Sequence, residues 1–95
     1  MKEIRQTSQF NKDLKRYRND VGKLQKLSQL LLILQNEEAI PPFYKPHPLG
    51  GDFKGCLECH IENDFLLIWI DKDNDIIGLV RLGSHSELFG KGAKR

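Results

Sequence analysis

His60, Asp64, Arg81, His85 and Phe89 lie between Gly55 and Gly90, in a stretch that otherwise reads as consecutive strands, and their types suit the handling of a phosphodiester. Cleaving RNA by internal attack needs a base for the 2′-hydroxyl proton, positive charge against the phosphorane oxygens and an acid for the leaving 5′-oxygen. Histidine fills the first and last roles because its ordinary pKa of about 6.5 makes both protonation states accessible near neutrality. Arginine fills the second: its planar fork stays protonated and matches phosphate oxygens in pairs. Asp64 or Glu58 can orient a neighbouring histidine or act as a base itself, and an aromatic such as Phe89 can stack a base splayed out of its strand. The same residue types fit a binding module with incidental histidines, so the site must be argued from position as well as composition. The third histidine, His47, sits between Pro46 and Pro48, which hold the backbone extended or turned and keep it out of a core. It is either an exposed loop residue without a role or one that faces substrate.

The elements that must position these side chains follow from periodicity. Lys2 to Thr7 alternates weakly and predicts a short first strand carrying Ile4. Ser8 is placed to cap a helix with Phe10, Leu14 and Tyr17 on its apolar side and Lys12, Lys15, Arg16 and Arg18 outside. Asn19 or Asp20 ends it and caps a second helix, with Leu24, Leu27, Leu31 and Leu34 as a stripe widened by Leu30 and Ile33, stopped by Pro41 and Pro42. So short a link predicts an antiparallel helix hairpin with one face on a sheet. Pro41 to Gly51 reads as loop. Cys56 to Ile61 then alternates, with Leu57, Cys59 and Ile61 on one face and Cys56, Glu58 and His60 on the other. After a tight connection at Glu62-Asn63, DFLLIWI is apolar on both faces, as a central strand covered on both sides should be. Asp73-Asn74-Asp75 turns into IIGLVRL, whose alternation places Arg81 on the face of Ile77 and Leu79, and Ser84 caps a final helical turn ending at Gly90. The fold class is α+β: one strand, two helices, an antiparallel meander and a short C-terminal helical turn, in a single domain over residues 1–95.

With 39% hydrophobic and 29% charged residues the composition is globular, which excludes a membrane-spanning or disordered chain. A chain of this size buries only about 60 to 65% of its unfolded surface, which leaves room for a partner to add stability. The net charge is only +2, but it is polarised. Lys12, Lys15, Arg16, Arg18, Lys23 and Lys26 cluster early and Lys91, Lys94 and Arg95 end the chain, whereas Glu58, Glu62, Asp64, Asp71, Asp73 and Asp75 crowd the middle. Such a chain can lay a basic face on a polyanion, although a charged helix is as often merely solvated. The amino terminus lacks the apolar core of an export signal, and apolar runs such as Leu30 to Leu34 fall far short of the roughly 20 residues that span a bilayer, so a cytoplasmic protein without membrane contact is expected. CLECH at Cys56 to His60 matches the C-x-x-C-H pattern of covalent haem attachment. Strand alternation throws the two cysteines to opposite faces, which disfavours haem, zinc and a redox dithiol alike, and a site without metal or cofactor is expected.

YKPHPLGGDFKGCLECHIENDFLLIW and the ending RLGSHSELFG resemble the YafQ branch of the RelE/ParE toxin superfamily. The landmarks occur in order: the loop His47-Pro48-Leu49, the strand from Gly55 to His60, the acid Asp64 after its turn, and Arg81, Gly83, Ser84, His85, Leu88 and Phe89 at the end. Leu57, Phe65 and Leu82 depart from the basic residue, tryptophan and threonine expected of that pattern. The resemblance implies a ribosome-dependent mRNA endoribonuclease, independent of metal, silenced by a cognate antitoxin and, through it, connected to operator DNA; its substrate is mRNA on the 70S ribosome. Position by position it implies catalytic roles for His60, Asp64, Arg81 and His85 and RNA contact for His47 and Phe89, while the basic helix residues Lys12, Lys15 and Arg16 are expected to touch ribosomal RNA. His60 with Asp64 is expected to do base work and His85 acid work, with base and acid exchangeable. The competing readings are a non-enzymatic ParE-like inhibitor and an RNA or ribosome binder on the same fold.

Overall fold

A five-stranded sheet with two helices on one face carries His47, His60 and Arg81, while Asp64 lies in a turn between two of its strands and His85 and Phe89 lie on the short helix that follows the last one. The structure is a computed structural model that describes residues 1–72 and 75–90. In chain order the elements are β1 (Glu3–Gln6), α1 (Ser8–Lys15), α2 (Val21–Gln35), β2 (His47–Pro48), β3 (Leu57–Glu62), β4 (Phe65–Lys72), β5 (Ile76–Gly83) and α3 (His85–Phe89). The sheet order is β1-β5-β4-β3-β2, with the expected antiparallel meander β3-β4-β5 at its centre. β1 runs parallel to β5, the pairing that a crossover through two helices permits. The loop expected over Pro41 to Gly51 is corrected: His47 and Pro48 pair with Glu58 and Leu57 as an outer strand. Pro48 has no N–H to give a ladder, and the sheet edge is where a proline is tolerated. Asp73 and Asn74 of the expected turn lie outside the described residues.

Local signals fix the helices to within a residue or two. Thr7, rather than Ser8, caps α1, its hydroxyl accepting from the Phe10 N–H at 3.1 Å and donating to the Val80 carbonyl at 3.2 Å. Asp20 caps α2 through the Lys23 N–H at 3.1 Å. α1 ends at Lys15, so Tyr17 stands beyond the helix, yet its ring centre still lies 4.7 Å from that of Phe65. Phe10 of α1 and Leu27, Leu30 and Leu34 of α2 bury against Cys59, Phe65, Leu67, Trp69, Ile77, Leu79 and Leu82 of the sheet. Each such side chain, fully buried, stabilises the fold by about 1.5 to 3 kcal/mol. The opposite sheet face has its own smaller core, Leu49, Leu66, Ile68 and Leu88, with Phe53, Cys56, Val80 and Phe89 packed on it. β4 is therefore apolar on both sides, as DFLLIWI predicts. Cys59 belongs to the first core and Cys56 to the second, so the haem-like pattern is two cysteines on opposite faces. Burial pushes the Cys59 thiol up to about 12.

One irregularity decides where Arg81 points. β4 pairs Trp69 with Leu79 but Ile68 with Arg81, leaving Val80 as the extra residue of a bulge. Antiparallel partners share a face, so Leu79 stays with Trp69 in the helix-side core while Arg81 joins Ile68 on the other face. The expectation that Arg81 shares the face of Ile77 and Leu79 is thereby corrected. Among the described residues no helix is long and apolar enough to cross a membrane.

Candidate active site

Two rows of side chains on the face away from the helices make the site. Successive pairings place His47, Glu58, Ile68 and Arg81 in one row across β2, β3, β4 and β5, and His60, Leu66 and Gly83 in the next. Ile68 and Leu66, both fully buried, form its apolar floor. β5 ends at Gly83, and α3 starts at once and sets His85 beside His60, ring centres 5.6 Å apart. Five residues are too few to hold a helix alone. α3 is held by a capping box, with Ser84 Oγ accepting from the Glu87 N–H at 3.2 Å and Glu87 Oε1 accepting from the Ser84 N–H at 2.8 Å. The Tyr17 hydroxyl donates to the same Glu87 oxygen. Burial, then that hydrogen bond, raises the Tyr17 pKa and keeps the donor protonated. Gly83 is required here: a Cβ would stand 2.7 Å from Glu87 Oε1, with φ at +155°.

Each of the three histidines faces a carboxylate. Glu58, fully buried, lies with Oε1 3.1 Å from His47 Nε2 and 3.5 Å from His60 Nε2. His47 Nδ1 donates to the Lys45 carbonyl at 2.9 Å, which orients its ring. Asp64 Oδ1 accepts from the His85 backbone N–H at 2.8 Å and lies 2.6 Å from His85 Nδ1. The expected pairing of His60 with Asp64 is thus corrected: Asp64 serves His85, and Glu58 stands behind His60. The turn explains it, because Asn63 and Asp64, rather than Glu62 and Asn63, join β3 to β4, and the second turn residue reaches the start of α3. Burial lowers the His60 pKa, against the opposing charge of Glu58, and holds the ring neutral at neutral pH. The backbone N–H of His85, then its ring, lowers the Asp64 pKa and keeps that carboxylate ionised.

Arg81 is held from the α1 side. Its Nε donates to Asp13 Oδ2 at 2.7 Å and its Nη2 to Asp13 Oδ1 at 3.3 Å. Phe89 is half-buried and meets Phe53 edge-on, ring centres 5.7 Å apart, so it packs on the smaller core. Lys12 and Lys15 are exposed on α1. Arg16, beside them, is engaged by Asp13 at 3.3 Å and Glu87 at 4.0 Å. Sequence reasoning missed Asp13 altogether. Its signal was position: it falls three residues after Phe10, on the apolar side of a helix whose other charges are basic and outside.

His47, Glu58 and His60 each offer a ligand atom, all within 4.8 Å of one another. Ligands held by a tetrahedral metal at about 2.0 to 2.1 Å stand about 3.3 Å apart, and the two distances to Glu58 bracket that value. Two imidazoles and a carboxylate suit zinc, copper or nickel.

Two helices on a five-stranded sheet whose far face gathers histidines, carboxylates and an arginine at one end define a RelE-like toxin. Residues 2–90 match the family described as the bacterial toxin of type II toxin-antitoxin system, YafQ, and the chain belongs to that family. It is 34% identical over 90 residues to the mRNA interferase toxin YafQ of Escherichia coli K12, covering 94% of this chain and 97% of that one. Among solved structures, a metal-bound toxin from Helicobacter pylori superposes with a TM-score of 0.84 at 41% identity, over 94% of this chain and all of the other (100%). The toxin in the E. coli DinJ-YafQ complex superposes with a TM-score of 0.82 at 34% identity, over 95% and 100%.

Proposed function

We propose that this chain is the toxin of a type II toxin-antitoxin pair, cutting mRNA on the ribosome by attack of a 2′-hydroxyl on the neighbouring phosphodiester. The observation that carries this reading is the pair His60 and His85, 5.6 Å apart and each backed by a carboxylate, on the sheet face that also holds Arg81. His60, held neutral by burial, takes the 2′-hydroxyl proton. Arg81 stabilises the charge that develops on the phosphorane oxygens. His85 gives its Nδ1 proton to Asp64 as a hydrogen bond, which fixes the ring and leaves Nε2 to protonate the departing 5′-oxygen. His47 and Phe89 position the substrate, and Lys12, Lys15 and Arg16 meet ribosomal RNA. A net charge of +2 provides few phosphate contacts, so free RNA binds weakly and the ribosome must present the message. Translating ribosomes place this activity in the cytoplasm; a cognate antitoxin silences it, and the pair meets operator DNA through the antitoxin.

Primer extension on an mRNA translated in a purified system tests the reading. New 5′ ends are expected with protein and ribosomes together, absent without ribosomes, and lost in His85→Gln and Arg81→Ala. Cleavage by a folded His85→Gln protein at the wild-type rate overturns the acid assignment. Arrest of DNA synthesis with intact mRNA favours a ParE-like inhibitor instead.

The ligand-like geometry of His47, Glu58 and His60, together with a metal-bound relative, supports a second occupancy of the same site. These residues would hold a divalent zinc, copper or nickel ion, and an ion there would take His60 and Glu58 away from base work. Cleavage should fall as Zn²⁺ is titrated in and return with a zinc-selective chelator that leaves Mg²⁺ to the ribosome. Zinc binding measured by calorimetry without any loss of cleavage would refute the competition.

A further inference from the structure

Asp13 is a fully buried carboxylate on α1, and the site described above does not use it directly. β1 stops at Gln6, opposite Leu79, so among the described residues the edge of β5 beyond that point has no strand beside it. Asp13 fills the place of one, Oδ2 accepting the Leu82 N–H at 3.0 Å. Gln9 Nε2 and Arg16 Nη1 each donate to Oδ1 at 3.3 Å, so the carboxylate is anchored from its own helix as well as from the sheet. The remaining contact is to Arg81, through Nε at 2.7 Å and Nη2 at 3.3 Å, which occupies one edge of the guanidinium. Among the described residues the other edge, Nη1 with the outer N–H of Nη2, is left for a bidentate partner. The Val80 bulge has already brought Arg81 onto the row of Ile68, Glu58 and His47. A buried ion pair is costly to desolvate and a poor device for stability alone, which favours a role in specifying where the arginine points.

We infer that Asp13 is a positioning residue for the cleavage reaction, a carboxylate in the helix layer that fixes the Arg81 guanidinium so that its free edge meets the scissile phosphate. This rests on the ribonuclease reading of the site. It explains why α1 crosses the end of β5: the helix that bears the ribosome-facing lysines also sets the phosphate-binding arginine.

The test is a double-mutant cycle of Asp13→Asn and Arg81→Ala in single-turnover cleavage on translating ribosomes. Asp13→Asn keeps the shape and an acceptor for the Leu82 N–H while removing the charge that holds the fork. It should lower kcat about 10- to 100-fold with little change in KM, the cost of a misaimed transition-state interaction. In the Arg81→Ala background it should cost no more than about 2-fold, because the group it positions is gone. Equal losses in both backgrounds, or a folded Asp13→Asn protein with wild-type kcat, overturn the inference. If Asp13→Asn fails to fold by circular dichroism, Asp13→Glu carries the same cycle, since it retains the charge but displaces the carboxylate by one methylene. A second arm needs no cleavage: inorganic phosphate is titrated while the Arg81 Nε–H resonance is followed by NMR. A wild-type response that weakens at least 10-fold in Asp13→Asn supports the positioning role even where wild-type protein cuts no mRNA, an outcome that would sink the ribonuclease reading alone. The same phosphate response in both proteins, or none in either, overturns the positioning role.

Discussion

Replacing Gly83 by alanine should disable the site without touching a residue proposed to meet substrate. The added methyl would stand 2.7 Å from Glu87 Oε1 and 3.4 Å from Leu88 Cδ2, at a φ of +155°. A free glutamate tip would swing away, but this one accepts from the Ser84 N–H and from the Tyr17 hydroxyl. Relief therefore breaks the capping box of a helix too short to stand without it. Two hydrogen bonds at about 0.5 to 1.5 kcal/mol each, with backbone strain of about 1 to 3 kcal/mol, give a loss of about 2 to 6 kcal/mol. At roughly 4 to 8 °C per kcal/mol for a domain of this size, Tm should fall by at least about 8 °C. Below that Tm the folded protein should still cleave about 100-fold more slowly, because α3 carries His85 and a displacement near 1 Å costs on that order. Differential scanning fluorimetry and single-turnover cleavage read the two effects. The same substitution in a Glu87→Ala background should cost only the strain portion. A Gly83→Ala protein with unchanged Tm and rate, or a cost undiminished when Glu87 is removed, refutes the reasoning.

Glu58→Gln bears on the base. Glu58 raises the His60 pKa while burial lowers it, so removing the charge drops that pKa further and should move the ascending limb of the pH–rate profile to lower pH; a limb shifted to higher pH contradicts the assignment. Lys12→Ala and Lys15→Ala should each weaken ribosome binding and lower its salt slope by about 1 for each phosphate the lysine neutralises, leaving the rate at saturation unchanged. Arg16→Ala should in addition lower Tm, because Arg16 also pairs with Asp13 and Glu87.

The helices, the meander and the two-sided burial of β4 were legible because they rest on local periodicity: Leu27, Leu30 and Leu34 repeat at helical spacing, and Phe65 to Trp69 are apolar without alternation. The histidines, Asp64 and Arg81 were legible as types. What the sequence hid depends on a partner strand or a distant turn. Alternation carried through Val80 puts Arg81 on the wrong face, and only its pairing with Ile68 exposes the bulge. His47-Pro48 is strand only because Glu58 and Leu57 lie opposite. Asp64 meets His85, 21 residues on, through a hairpin one residue later than expected. Asp13 looked like one acid in a basic helix until the far end of the chain supplied Arg81 and Leu82.

The central claim is that His60 and His85 drive internal attack by the message's own 2′-hydroxyl. The chemical ends of mRNA cut on the ribosome test it most directly. The account predicts a 2′,3′-cyclic phosphate on the upstream fragment and a 5′-hydroxyl on the downstream one, with both lost when either histidine is replaced. Fragments bearing a 3′-hydroxyl and a 5′-phosphate, the products of attack by water at the opposite bond, would contradict it.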